Sequence, residues 1–214
     1  MKLLITGCPH SGTMFTAQVL RLAGISCGHE AVYTLQHGYR PGGSDVMAEI
    51  SWEATLYLGT SSIDPGVVIA HQTREPIAWI NSWVREGVHG FAWSLLEEAY
   101  PGICARQNQD PARTAMWFWV EMNRRCAKYA KHRYRVEDLR DDQGVAIIEK
   151  LGKAAGIKLD ISRVRTSLTS MDIRTNHHVG DPAHVPLTWV SLPAGIELDD
   201  FKRIAQAYGY PNPL

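Results

Sequence analysis

The sequence lacks three features that would point at once to a broad class of proteins. Its 22 Lys and Arg residues are balanced by 22 Asp and Glu residues, giving a formal net charge of zero. This balance argues against a general electrostatic attraction to nucleic acid or to an anionic membrane. No apolar run approaches the roughly 20 residues of a transmembrane helix. The four cysteines form no Cys-x-x-Cys pair, so neither a zinc knuckle nor a thioredoxin-type motif is indicated.

A targeting signal is also lacking at the N-terminus. No charged region followed by an apolar run, and no small-residue cleavage site, precedes the first predicted strand. We therefore expect a cytoplasmic protein whose cysteines are free thiols. The 214 residues are 45% hydrophobic and 21% charged, which fits one domain, residues 1–214, with a substantial buried core.

Short apolar runs alternate with amphipathic stretches along the chain. Strands are predicted at 3–6, 25–28, 67–71 and 134–136, and helices at 14–23, 46–58, 77–84, 91–100, 110–131, 143–155 and 199–208. Such alternation predicts an α/β fold of three layers, α/β/α, in which helices cover both faces of a central parallel sheet.

A glycine-bounded loop joins the first strand to the first helix. Residues 7–13 read Gly-Cys-Pro-His-Ser-Gly-Thr. The N–H groups of such a loop converge with the positive end of the following helix and form an anion site. Gly7 and Gly12 have the separation found in a P-loop, but Thr13 stands where a P-loop has lysine. The alternative is an ordinary connection in which Ser11 or Thr13 caps the helix.

Polar residues follow each predicted strand, at 7–13, 29–30, 72–74 and 137–138. Because ligands bind beyond the carboxyl ends of parallel strands, we expect these segments on one rim. Arg74 and Ser82, eight residues apart, could hold a second phosphate. The alternatives are an ion pair of Arg74 with Glu75 or Glu86, and a Ser82 that is a small polar residue on an exposed face.

The order of these motifs resembles that of the sulfotransferases that use 3′-phosphoadenosine-5′-phosphosulfate (PAPS). The loop 7–13 is similar to the family's 5′-phosphosulfate loop. Arg74-Glu75-Pro76, with Ser82 eight residues after the arginine, is similar to its 3′-phosphate motif. Residues 117–123 and 134–139 resemble an aromatic helix and a later strand end. The resemblance covers roughly residues 1–156 and implies a sulfotransferase-type fold, related to that of the P-loop NTPases.

The resemblance also implies an activity, which is transfer of a sulfuryl group from PAPS to an acceptor hydroxyl or amine, without a metal. A small molecule, a carbohydrate or a peptide could be the acceptor. Glu30, after Gly28-His29, is the implied general base, and His29 is the second choice; a solvated loop end is the alternative. The residues implied for the donor are Gly7, Pro9, His10, Ser11, Gly12 and Thr13 at the 5′ end, and Arg74 and Ser82 at the 3′-phosphate.

Two features depart from the family pattern. His10 stands where the family usually has Lys or Arg, so the imidazole would have to act at the leaving oxygen. The C-terminal part shows no motif that matches the family's basic, glycine-containing loop. The segment Arg174-Thr175-Asn176-His177-His178 could take its place, with Arg174 as a candidate for a donor contact.

Other functions remain open at this stage. A P-loop kinase of a nucleoside or small metabolite would share the loop but would need Mg²⁺ and the lysine that is missing. A non-catalytic nucleotide-binding member of the fold is a third possibility. A metal site among His177, His178, His184 and Asp181 is not expected, since the two adjacent histidines cannot share a face. Trp52, Trp83 and Trp93 are either core residues or the lining of an acceptor cleft.

Overall fold

The computed structural model describes residues 1–34, 38–39, 45–86, 96–171 and 186–211, with only the backbone given at 38, 39 and 86. The chain divides into two compact units. The first contains Met1–Arg74 and Arg125–His177, and the second contains Glu75–Arg124 and His178–Leu214.

The first unit is built on a parallel sheet. The strands are β1 (Leu3–Gly7), β2 (Cys27–His29), β3 (Tyr33–Thr34), β4 (Gly38–Tyr39), β5 (Ala48–Ile50), β6 (Val68–Thr73) and β7 (His132–Arg135). The sheet order is β2-β5-β1-β6-β7 and every pairing in it is parallel, whereas β3 and β4 form a separate antiparallel pair. In the register, Leu3 of β1 lies opposite Ala48 on one side and Val68 on the other.

Helical segments of the first unit pack on both faces of this sheet. The α-helices are α1 (Thr13–Leu22), α2 (Pro76–Glu86), α3 (Ile103–Gln109), α4 (Pro111–Tyr129), α5 (Asp141–Ala154), α6 (Ile161–Ser170) and α7 (Ile196–Ala207), with 3₁₀ helices at Glu53–Tyr57 and Val136–Asp138. Successive residues of a strand point to opposite faces. Leu3 and Ile5 therefore pack with buried residues of α1, α5 and α6. Leu4 packs instead with Ala54 and Cys126. The predicted α/β fold with a central parallel sheet is confirmed.

One predicted element is wrong. The spacing of Val46, Ile50, Ala54 and Leu58 indicates a helix over 46–58, but the structure has β5 followed by a 3₁₀ helix. Three residues, Ala48 to Ile50, are fully buried and pair with β1 on one side and β2 on the other. So short a strand shows no period of its own, and its pairing with two distant strands overrides the apparent spacing.

Other differences concern elements that the sequence pattern did not reveal. Helices α3 and α6 were not predicted. The start of α6 is nevertheless marked by Asp160, whose carboxylate accepts hydrogen bonds from the N–H groups of Ser162 and Arg163. The predicted strand at 25–28 begins and ends later, as β2. Of the predicted helix 91–100, the structure describes only residues from 96 onward, and 96–99 are helical.

The second unit has an aromatic core. Trp79 and Trp83 of α2 stack with ring centroids 5.3 Å apart, and Trp83 lies 4.8 Å from Phe118 of α4. Trp119 packs edge-on against Phe201 of α7 at 4.9 Å. Because Trp83 has no exposed surface, it is a packing residue and does not line an acceptor cleft. Trp93, the third tryptophan of that hypothesis, lies outside the described residues.

Candidate functional site

The loop between β1 and α1 needs glycine at both of its ends. Gly12, the N-cap of α1, has φ +86°, in the left-handed region that side chains disfavour. A Cβ there would lie 2.9 Å from Cγ2 of Val136. A Cβ on Gly7 would lie 2.2 Å from the carbonyl oxygen of Gln72. The backbone therefore comes closer to its neighbours here than any side chain would permit.

The loop contains a buried hydroxyl, that of Ser11, with which no described residue forms a hydrogen bond. Ser11 is 1% exposed, and its Oγ has no hydrogen-bond partner among the described residues. No side chain caps α1, so the alternative in which Ser11 is only a helix cap is wrong. An uncapped helix N-terminus presents N–H groups and a partial positive charge. Together with the Ser11 hydroxyl, these groups can bind an anion.

Gln72, at the end of β6, fixes the shape of this loop. Its Nε2 donates to the carbonyl oxygen of Ser11 at 2.7 Å. Its Oε1 accepts from Oγ1 of Thr16 at 2.6 Å and from the Tyr134 hydroxyl at 2.7 Å. One buried amide thus ties together the loop, α1, β6 and β7. The sequence placed Gln72 on the rim without a role, because the three bonds involve residues from distant parts of the chain.

Arg74, one residue beyond β6, also contacts the loop. Its Nη1 donates to the carbonyl oxygen of His10 at 2.7 Å. Glu75, the alternative ion-pair partner of Arg74, accepts hydrogen bonds from the N–H groups of Ile77 and Ala78 at the start of α2. The predicted partner Ser82 lies on α2 in the second unit and is 6% exposed, so it is not on an exposed face. Arg174 lies outside the described residues, as do the histidines near it.

The second strand brings His29 and Glu30 to the same rim. His29 Nε2 lies 3.2 Å from Oγ1 of Thr13 and 3.8 Å from Oε1 of Glu30. The two side chains are 12% and 29% exposed. A solvated loop end, the alternative considered from the sequence, is therefore not what forms. Thr13 therefore connects His29 and Glu30, the two candidate general bases, with the anion loop, the predicted anion-binding loop of residues 7–13.

Burial moves the pKa values of these two groups in opposite directions. Burial, and then the charge of Arg21, lower the pKa of His29 to about 4. Burial, and then the carboxylates of Glu53 and Glu49, raise the pKa of Glu30 to about 7. A carboxylate with a pKa near the working pH is suited to accept and release a proton.

Backbone strain occurs at two of the predicted site residues. Among the described residues, three that are not glycine have positive φ, and two of them are His10 at +59° and Glu30 at +53°. Side chains seldom adopt this conformation, and it concentrates at functional sites. Both residues are among the site residues that the sequence predicts.

The sequence pattern missed two acidic residues near Glu30. Glu49 of β5 is fully buried, and Glu53 of the following 3₁₀ helix is 7% exposed. Both fall in the segment predicted as a helix, so no signal placed them on the rim. Within the described ranges, no cluster of three or more His, Cys, Asp or Glu residues is arranged to hold a metal ion.

Comparison with known proteins adds no relative. No protein-family model, curated protein or solved structure matches the chain. Over the part of the chain that the structure describes, no helix is both long and apolar enough to cross a membrane.

Proposed function

We propose that this protein is a sulfotransferase, which transfers a sulfuryl group from PAPS to an acceptor hydroxyl or amine. The observation that supports this most is the joining of two functions on one rim. An anion loop with an unsatisfied, buried Ser11 hydroxyl meets, through the Thr13–His29 contact, a carboxyl whose pKa is raised to about 7.

The residues of the loop would hold the 5′ end of the donor. The N–H groups at the start of α1 and the Ser11 hydroxyl would bind its oxygens, with His10 at the leaving oxygen in place of the family's Lys or Arg. The new bond joins the acceptor oxygen or nitrogen to sulfur. The bond from sulfur to the 5′-phosphate oxygen breaks, and that oxygen keeps the electron pair.

Glu30 would remove the acceptor's proton as the new bond forms. Its partly buried position excludes much of the competing water, and its pKa near 7 leaves a useful fraction ionised at neutral pH. Positioning of two substrates and stabilisation of the leaving charge supply the rest of the rate. Arg74, Ser82 and Arg174 are assigned to the 3′-phosphate end by the sequence resemblance.

The test is calorimetric titration with 3′-phosphoadenosine-5′-phosphate, beside ADP and ATP with magnesium. We expect the 3′-phosphorylated nucleotide to bind at least about tenfold more tightly than ADP, since a second phosphate is recognised. Arg74→Ala and Ser82→Ala should each weaken it, whereas Arg163→Ala, an exposed arginine of α6, serves as the matched control. Unchanged affinity in both site variants would overturn the donor assignment.

A second assay separates the rival functions. Radiolabelled transfer from PAPS to a panel of phenols, sugars, amines and tyrosine peptides should give product that Glu30→Gln reduces. Magnesium-dependent ATP turnover would support the kinase instead. Tight donor binding without transfer to any acceptor of the panel would support a non-catalytic nucleotide-binding protein.

A further inference from the structure

A carboxylate lies in the middle of the sheet of the first unit. Glu49 belongs to β5, which is paired on both sides, and it has no exposed surface. In the register it lies between Leu4 of β1 and Gly28 of β2. Removing a carboxylate from water costs several kcal/mol unless hydrogen bonds compensate. The contacts of Glu49 therefore indicate which part of the structure this buried carboxylate stabilises.

Those contacts lead to the turn that carries Glu30. Oε1 of Glu49 accepts hydrogen bonds from the N–H groups of Ala31, at 2.7 Å, and Val32, at 3.2 Å. The N–H of Glu30 itself donates to the carbonyl oxygen of Ile50, the residue after Glu49 in β5, at 3.2 Å. Three successive N–H groups of the turn are thus bound by adjacent residues of β5.

Gly28 makes room for this arrangement. A Cβ at Gly28 would lie 1.9 Å from Oε2 of Glu49, so the carboxylate occupies the space that any other residue would fill. Burial raises the pKa of Glu49, while the N–H groups of Val32 and Ala31, and the charge of Arg21, oppose that rise. The hydrogen bonds favour the ionised form, which is the better acceptor.

We propose that Glu49 is a positioning residue, which holds the turn after β2 so that Glu30 keeps its left-handed backbone and its place on the rim. The inference rests on the proposed function only for the role of Glu30 as base. Glu49 acts through the backbone of Ala31 and Val32 and has no contact with the reacting groups.

The charge of Glu49 adds a second effect on the same residue. Among the described residues, Glu30 is near the carboxylates of Glu53, on the 3₁₀ helix, and Glu49, on β5, and near the ring of His29. The charge of Arg21, on α1, acts on His29 and on Glu49. Loss of the Glu49 charge should therefore lower the pKa of Glu30, while loss of its acceptor oxygen should release the turn. Different substitutions separate the two effects.

The experiment compares Glu49→Gln, which keeps an acceptor oxygen without the charge, with Glu49→Met, which keeps the volume and removes both. Glu149→Gln, at an exposed position of α5, is the control. Amide hydrogen exchange of Ala31 and Val32 and the titration of ¹³C-labelled Glu30 are measured by NMR. Transfer is measured as kcat and KM.

We expect Glu49→Gln to keep the protection of both amides and to lower the Glu30 pKa. In Glu49→Met, the exchange protection of both amides and kcat should each fall at least about tenfold, while KM should stay within about twofold of the wild-type value. If Glu49→Met fails to fold, Glu49→Asp takes its place: its side chain is one methylene shorter, so it should withdraw the acceptor from both amides and show the same loss of protection. If the wild type is active and the variants change neither the amide exchange, nor the Glu30 titration, nor kcat, the inference is overturned. Absence of transfer by the wild type, with the NMR changes present, would overturn the proposed function and leave the inference standing.

Discussion

The side-chain amide of Gln72 offers the sharpest test of how the anion loop is held. Gln72→Leu keeps most of the volume but removes the donor to the Ser11 carbonyl and the acceptor for the Thr16 and Tyr134 hydroxyls. All three bonds are buried. Each contributes about 1 kcal/mol, and a buried group left without a partner costs about 1–3 kcal/mol. The Thr16 hydroxyl can turn to a carbonyl of its own helix. We therefore expect the variant to lose about 3 kcal/mol of unfolding free energy.

A second substitution at the same position separates loop shape from stability. Gln72→Glu keeps the acceptor but places a carboxylate oxygen against the Ser11 carbonyl, and it adds negative charge beside the anion site. We expect pyrophosphate affinity to fall at least about tenfold. Tyr134→Phe removes a single donor and should cost about 1 kcal/mol while leaving pyrophosphate affinity unchanged.

Urea unfolding and calorimetric titration with pyrophosphate measure the two quantities. The reasoning is refuted if Gln72→Leu unfolds at the wild-type free energy, or if Gln72→Glu binds pyrophosphate as tightly as the wild type does. It is also refuted if Tyr134→Phe weakens pyrophosphate binding as much as the Gln72 variants do, since the contact of Gln72 with the loop would then not be the cause.

Three further predictions concern the loop, the rim and a helix end. Gly12→Ala should lower the unfolding free energy in urea by about 1–2 kcal/mol because of its left-handed φ alone, and it should also weaken pyrophosphate binding. Gly156→Ala, with φ +61° but open space around it, should leave pyrophosphate binding intact. The folded pKa of Glu30, about 7, exceeds its ordinary 4.5, so its contribution to stability is full below pH 4.5 and lost as the pH rises through 7. Glu30→Gln should therefore gain up to about 3 kcal/mol on the wild type between pH 5 and pH 8, and parallel stability curves would contradict the shift. Asp160→Ala should cost about 1 kcal/mol of thermal stability through loss of the α6 cap; an unchanged melting temperature would show that the cap is dispensable.

The parts of the site that follow from adjacent residues could be predicted from the sequence. The strand, loop and helix of residues 3–22 are encoded by an apolar run, two glycines and a helical period, all within twenty positions. The apolar, β-branched run before His71 similarly identified β6. Because parallel strands end on one rim, these local assignments were enough to bring the anion loop, His29 and Arg74 to the same edge of the sheet.

The parts that depend on distant residues could not be predicted in this way. β5 has three residues, and its burial comes from β1 and β2, which lie tens of positions earlier in the chain. The sequence pattern of this segment is therefore equally compatible with a helix. Glu49 lies on β5 and Glu53 on the following 3₁₀ helix. The sequence therefore predicted Glu30 as a candidate base but not the two carboxylates near it.

Burial, and after it the surrounding charges, distinguishes the two residues between which the sequence could not choose. His29 and Glu30 are adjacent, and either could accept a proton from an acceptor. Their pKa values of about 4 and about 7 mean that the carboxylate binds a proton more tightly than the imidazole does. The His29 ring also lies within hydrogen-bond distance of Thr13, which ties it to the loop. This division of roles favours Glu30 as the base and His29 as the link between the base and the anion loop.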